Sequence, residues 1–175
     1  MSRTANLPGE VYFFTVTVVG WIDVFTKQEY CEMVVKNLKF CQENKNLEIY
    51  EYVIMPNHLH LIARAVDRPL SDVIRDFKTY TSKELFKMIK ENIHDSRREW
   101  MIPIFVKHGQ KNSKNKNQQF WQNMNSPILI YDQRIYDQKA DYIHNNPVKA
   151  GIVTDPVYYY YCSACPVNPL SLCEY

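Results

Sequence analysis

The alternation of apolar and polar positions divides the chain into a short series of elements. Tyr12-Phe13-Phe14-Thr15-Val16-Thr17-Val18-Val19 is aromatic and β-branched and ends at Gly20, which predicts a first strand. From Lys27 to about Glu43, Tyr30, Met33, Val34, Leu38 and Phe40 recur at roughly helical spacing, and the segment closes in the polar cluster Glu43-Asn44-Lys45-Asn46. One amphipathic helix is expected there. Leu47 to Met55 and Leu59 to Ala65 are β-like runs separated by Pro56-Asn57-His58, a hairpin or two adjacent antiparallel strands. Pro69-Leu70-Ser71-Asp72 opens a second helix to about Lys90, with Leu70, Val73, Ile74, Phe77, Tyr80, Leu85, Phe86, Met88 and Ile89 as its apolar positions. Pro127 to Tyr131 is a short strand candidate, and Gln133 to about Asn145 a final helix stopped by Pro147. Strand, helix, two strands, helix, short strand, helix suits an α+β fold, an antiparallel sheet with helices on one face. No internal repeat interrupts it, and one domain over residues 1–175 is expected.

Composition agrees with one packed core: 175 residues, 46% apolar and 14% aromatic, bury a sizeable interior. No run approaches the roughly 20 apolar residues that span a bilayer, so a soluble, cytoplasmic protein is expected. Five cysteines are an odd number, which argues for reduced thiols. Cys31 and Cys41 look like helix-core residues, whereas Cys162, Cys165 and Cys173 would hold zinc only with a fourth ligand. The four successive tyrosines Tyr158 to Tyr161 suit packing better than chemistry. The net charge is only +2, so its distribution matters more than its size. No acidic residue lies between Glu99 and Asp132, and Lys107 to Gln119 is basic, amide-rich and poor in apolar groups. That composition suits a mobile, phosphate-compatible loop and equally a solvated linker.

Two histidines interrupt the apolar run Tyr52 to Ile62. In a strand, residues i and i+2 share a face, so His58 and His60 project together while Leu59 points away, and both rings can meet one ion. Most His-x-His triplets are merely polar positions on a sheet face, so the pair needs a third group. The final helix offers Tyr142 and Asn146 four residues apart on one side. Because Asn146 precedes Pro147, its helical register is doubtful, and Asn145 and His144 stand as substitute ligands. Taken alone, Tyr142 reads as a core aromatic, like Tyr136.

The motifs MPNHLHLI (residues 55–62) and DYIHNNPVKAG (residues 141–151), with Phe120-Trp121-Gln122 between them, closely resemble those of the HUH single-tyrosine transposases of small bacterial insertion sequences, the IS200-like superfamily, and most of all the REP-associated tyrosine transposases. The resemblance covers most of the chain. It implies a ferredoxin-like, RRM-like HUH endonuclease fold and a single-stranded DNA endonuclease and strand transferase acting near hairpins. It further implies that His58 and His60 are the metal-binding pair, Tyr142 the nucleophile that forms a 5′-phosphotyrosine, and Asn146 the group completing the metal shell. The cofactor would be Mg²⁺ or Mn²⁺, and two imidazoles suit Mn²⁺ at least as well as Mg²⁺. A free tyrosine has a pKa of about 10 and is a poor nucleophile unless a nearby cation favours its phenolate. Single-strand binding calls for a basic track with aromatic faces. Lys107, Lys111, Lys114, Lys116, Arg75, Lys78 and Lys149 are candidates for the track and Trp121 for a stacking face, although packing of the sheet against the last helix is the favoured role of Phe120 and Trp121. Assembly is left open between monomer and homodimer. The competing readings are a domesticated or non-catalytic hairpin-binding protein, a ferredoxin-like nucleic-acid module without cleavage, and a metal-dependent hydrolase in which water attacks and Tyr142 is structural.

Overall fold

The computed structural model describes residues 7–112, 117–123 and 127–175. Its centre is a four-stranded antiparallel sheet in the order β2-β3-β1-β4, built from β1 (Tyr12–Thr17), β2 (Leu47–Met55), β3 (His58–Ala65) and β4 (Ile128–Leu129). β2 and β3 form the expected hairpin, closed by Pro56 and Asn57, with Met55 opposite His58. The aromatic and β-branched run that starts at Tyr12 leaves the sheet at Thr17 and passes into a 3-10 turn, Val19–Trp21, in which Gly20 has φ 65° and Trp21 φ 54°.

Strand alternation divides the interior into two cores. On one face, α1 (Gln28–Asn44), α2 (Leu70–Glu91) and α3 (Arg98–Gln110) pack Tyr30, Val34, Leu38, Val73, Phe77, Leu85 and Phe105 against Tyr12, Phe14, Val16, Leu59 and Leu61. On the other, α4 (Gln133–Lys149) brings Ala140 and Ile143 onto Phe13, Tyr50, Val53, Met55 and Ile62. The antiparallel α+β sheet is therefore as expected, but the helices are not all on one face as expected: the last one crosses the face opposite α1 and α2. The folded sheet carries the reason: a bulge between Ile49 and Glu51 resets the alternation of β2, and the nearly unbroken apolar run Tyr52-Val53-Ile54-Met55 must be covered on both sides. The C-terminal segment then lines the free edge of β2, where the Ile54 amide donates to the Tyr161 carbonyl and the Ser163 amide to the Tyr52 carbonyl. An exposed row of strand amides is thereby paired.

Three further expectations are corrected. The basic stretch beginning at Lys107 is not a loop at its start: α3 runs from Arg98 to Gln110 and carries Lys107 in its last turn. It buries only Met101, Phe105 and Gly109 and contains Pro103, so its apolar stripe is too thin to stand out in the sequence. Lys111 follows it, exposed, while Lys114 and Lys116 lie outside the described residues. The final helix does not stop before Pro147 but continues to Lys149. A proline near a helix end forfeits a single amide bond, and the Ala150 amide still donates to the Asn146 carbonyl at 3.0 Å. Trp121, a candidate stacking face, is 3% exposed. Its indole is held between Phe25, Phe77 and Phe120 on the α1–α2 side, and Nε1 donates to Thr81 Oγ1. Packing holds this indole, and it presents no free face to a base. Cys31, Cys41, Cys162 and Cys165 are buried free thiols and Cys173 is exposed. Among the described residues no helix is long and apolar enough to cross a membrane.

Candidate active site

Pairing of β3 with β1 places His58 opposite Thr17 and His60 opposite Thr15. Leu59 and Leu61 fill the α1–α2 core, so both imidazoles turn to the α4 face. Their ring centroids are 4.6 Å apart at an interplanar angle of 71°. His60 is 4% exposed, stacked on Phe13 at 5.4 Å. Its Nδ1 lies 2.7 Å from Thr15 Oγ1. Its Nε2 is buried and, among the described residues, has no hydrogen-bond partner. Leaving such an atom unpaired is costly, and native interiors rarely do so. In the tautomer with the proton on Nδ1, given to Thr15, the free Nε2 carries a lone pair and nothing to receive it.

α4 brings the remaining groups. Tyr142 sits edge-on to His60 with centroids 5.1 Å apart, and edge-on to Phe13 at 6.0 Å. It is 41% exposed, open to a ligand approaching from solvent. Asn146, one turn on and still helical, lies near enough to His58 to raise the proton affinity of that ring. The two substitute ligands are engaged elsewhere: His144 Nε2 contacts Glu51 Oε2 at 2.7 Å, and Asn145 Nδ2 donates to the Asp141 carbonyl at 2.9 Å. Lys149 Nζ stands 5.8 Å from the Tyr142 ring centroid and Lys139 Nζ 4.9 Å from that of Phe13, so two cations flank the site.

Burial lowers the proton affinity of both imidazoles. It pushes His60 down to about 3, with His58 and Lys139 adding positive charge nearby. It lowers His58 as well, partly offset by the neighbouring Asn146 side chain. Both rings are therefore neutral at physiological pH, the form in which imidazole ligates a metal. Two imidazoles and one amide form a mixed nitrogen and oxygen donor set that fits a divalent ion whose other positions are taken by substrate or water oxygens. No group of three or more His, Cys, Asp or Glu side chains suited to a metal exists among the described residues, so any third side-chain donor beside the two imidazoles would be of another type, such as the Asn146 amide.

Several contributors were not singled out by sequence. Thr15 orients His60 from the neighbouring strand; a threonine within an aromatic and β-branched run is the available signal. Asn57, in the hairpin turn, places Oδ1 2.6 Å from His58 Nδ1. Glu51 anchors α4, accepting from the Tyr136 hydroxyl at 3.1 Å and contacting His144, while the Ser163 hydroxyl donates to it from the C-terminal segment. Burial alone would raise its carboxyl, but the bonds from His144, Ser163 and Tyr136 hold it below the ordinary carboxylate range. Among the described members of the expected basic track, Lys149 is the one whose amine stands against Tyr142. Arg75 pairs with Asp72 at 2.7 Å and Asp76 at 3.3 Å. Lys78 donates to the Gln122 carbonyl, and Arg75 and Lys78 belong to α2, which packs on the opposite face.

Residues 17–124 match the family model described as Transposase IS200 like; that segment includes His58 and His60 and ends before α4. Among solved structures, a REP-associated tyrosine transposase bound to a REP hairpin is 20% identical, with a TM-score of 0.65, covering 93% of this chain and 81% of its own. A candidate transposase of Deinococcus radiodurans, 14% identical with a TM-score of 0.45, covers 83% and 97% respectively. No curated protein matches the sequence.

Proposed function

This chain belongs to the IS200-like transposase family, and we propose that it cleaves and rejoins single-stranded DNA beside a hairpin through a phosphotyrosine at Tyr142. The observation that carries this reading is the buried, unpaired Nε2 of His60 beside a second imidazole and a solvent-accessible tyrosine. The solved relative of this fold is held on a REP hairpin, which supports hairpin-bearing DNA as the substrate class.

His58, His60 and Asn146 would hold Mg²⁺ or Mn²⁺, which supplies polarisation of a phosphate oxygen and charge neutralisation at the reacting phosphorus. Thr15 fixes the His60 ring so that Nε2 faces the site, and Asn57 does the same for His58. Tyr142 attacks phosphorus through Oη, losing its proton to solvent. The Tyr–O–P bond forms as the P–O3′ bond breaks, and the departing oxygen takes up a proton to become a 3′-hydroxyl. Because the phosphodiester is exchanged rather than hydrolysed, a second 3′-hydroxyl reverses the step and joins a new strand with no other energy source. Lys149, beside the Tyr142 ring, places positive charge where the phosphate must lie.

The test is incubation with end-labelled, hairpin-bearing single-stranded DNA and Mn²⁺ or Mg²⁺, followed by a denaturing gel. A labelled protein band is expected from wild type and not from Tyr142→Phe or His58→Ala. Cleavage by Tyr142→Phe at the wild-type rate would make water the nucleophile. DNA binding without any covalent band would support a non-catalytic hairpin binder.

A further inference from the structure

Trp121 presents no face to a base, yet another tryptophan stands beside the site. Trp21 is 60% exposed, although an indole is among the side chains that gain most from burial. It also sits at φ 54°, directly after Gly20 at φ 65°. A bulky residue in the left-handed region is strained, and such strain persists only where the surroundings impose it. Here they do: the Trp21 amide donates to the Val18 carbonyl at 3.2 Å and its carbonyl accepts from Asn57 Nδ2 at 3.4 Å. Asn57 Nδ2 also reaches Asp23 Oδ1 at 2.7 Å, while Asn57 Oδ1 contacts His58. One amide side chain thus fixes both the turn that displays the indole and the imidazole next to it. The rings meet edge-on, 6.0 Å between centroids.

The last turn of α3 reaches the same turn through His108, whose Nε2 lies 3.7 Å from where a Cβ on Gly20 would stand, beside Ile104 at 3.6 Å. An exposed indole beside the proposed phosphate-activating site offers one unpaired nucleotide a flat apolar face for its base, while Lys149 at the Tyr142 ring supplies positive charge for its backbone.

We propose that Trp21 is a stacking platform for a single unpaired base next to the phosphate that Tyr142 attacks, so that the indole sets which phosphodiester reaches His58 and His60. This rests on the nuclease reading given above. It assigns to Trp21 a binding role, with Asn57 as the positioning residue that couples platform to site.

The experiment measures binding in the Tyr142→Phe background, where no cleavage intervenes, using a pool of fluorescein-labelled hairpin-bearing single-stranded oligonucleotides. The tightest member is then scanned with one abasic residue at a time. Trp21→Ala and Trp21→Asn are expected to weaken binding on the order of ten- to a hundred-fold, and Trp21→Phe by much less. Asparagine tolerates the left-handed conformation, so Trp21→Asn should unfold at a temperature no lower than the parent, which separates lost stacking from lost fold. At one abasic position the deficit should vanish, because the base that the indole held is already gone. Equal binding by all four proteins, or a deficit that persists undiminished at every abasic position, would overturn the platform. Wild type run in parallel with Mn²⁺ keeps the two ideas apart: a covalent band together with an indifferent Trp21 sinks the platform alone, its absence despite binding sinks the nuclease reading, and no binding to any oligonucleotide sinks both.

Discussion

At the scale of single residues, His60 is held in a state that stability alone would not select. Its Nε2 is buried and unpaired among the described residues, a deficit of about 1–3 kcal/mol for a polar atom of this kind. Replacing the ring by leucine removes that deficit and forfeits the contact with Thr15, so the two effects nearly cancel. His60→Leu should keep its unfolding free energy in urea to within roughly 1 kcal/mol of wild type in metal-free buffer while losing all covalent DNA adduct. A strong loss of stability would mean that the imidazole is a structural group. Thr15→Val separates orientation from ligation, because it leaves both donor imidazoles in place. The supporting shell of a metal ligand commonly contributes 10–100-fold in affinity or activity, so the Mn²⁺ concentration that half-saturates adduct formation should rise by about that factor. Unchanged Mn²⁺ dependence would remove Thr15 from the site. The imidazole pair was legible from spacing, since strand periodicity turns two residues the same way. Thr15 and Asn57 were not, because each acts through a strand register and a turn that only the folded sheet supplies.

At the scale of elements, everything depends on how α4 is held against β2 and β3. Glu51 is the fastening: from β2 it takes hydrogen bonds from two residues of α4 and one of the C-terminal segment. Its carboxyl is depressed below the ordinary value near 4.5, so the folded protein binds that proton less readily than the unfolded chain. Stability from this network is therefore fully present above about pH 4.5 and declines as pH falls through the lower folded-state value. Glu51→Gln should flatten part of that acid decline in thermal unfolding monitored between pH 3 and 7, and Glu51→Ala should cost about 2 kcal/mol or more at neutral pH. An identical acid limb in wild type and Glu51→Gln would show that other carboxylates dominate. The elements themselves were largely legible, because β1, the hairpin and helices α1 and α2 carry strong periodicity. What escaped were boundaries and partners. Pro147 reads as a stop, yet near a helix end its missing amide removes one bond and the backbone carries Asn146 into register with Tyr142. α3 was invisible because three buried positions make too faint a stripe, and the face covered by α4 follows from a bulge in β2 that no local pattern announces.

At the scale of the whole molecule, a net charge of +2 gives little long-range attraction for DNA, so affinity must come from where the positive charge is placed. The sequence offered a basic track spread along the chain, and the fold redistributes it. On α2, which packs away from the active site, Arg75 is bound to two aspartates and the Lys78 amine, drawn down to about 8 by burial, donates to a carbonyl. Lys149, by contrast, stands over the ring of Tyr142. Each lysine that neutralises a phosphate of a single strand contributes roughly −0.7 to the slope of log affinity against log salt concentration. Lys149→Ala in the Tyr142→Phe background should therefore weaken binding to a hairpin oligonucleotide and make the salt slope shallower by about that amount, whereas Arg75→Ala should leave the slope where it was. The reverse pattern would move the DNA path to the α2 side of the sheet, away from His58 and His60, and would detach the proposed chemistry from the proposed binding. Agreement would mean that one face of the sheet both gathers the strand and cuts it, with the α1–α2 face serving as the core that keeps it rigid.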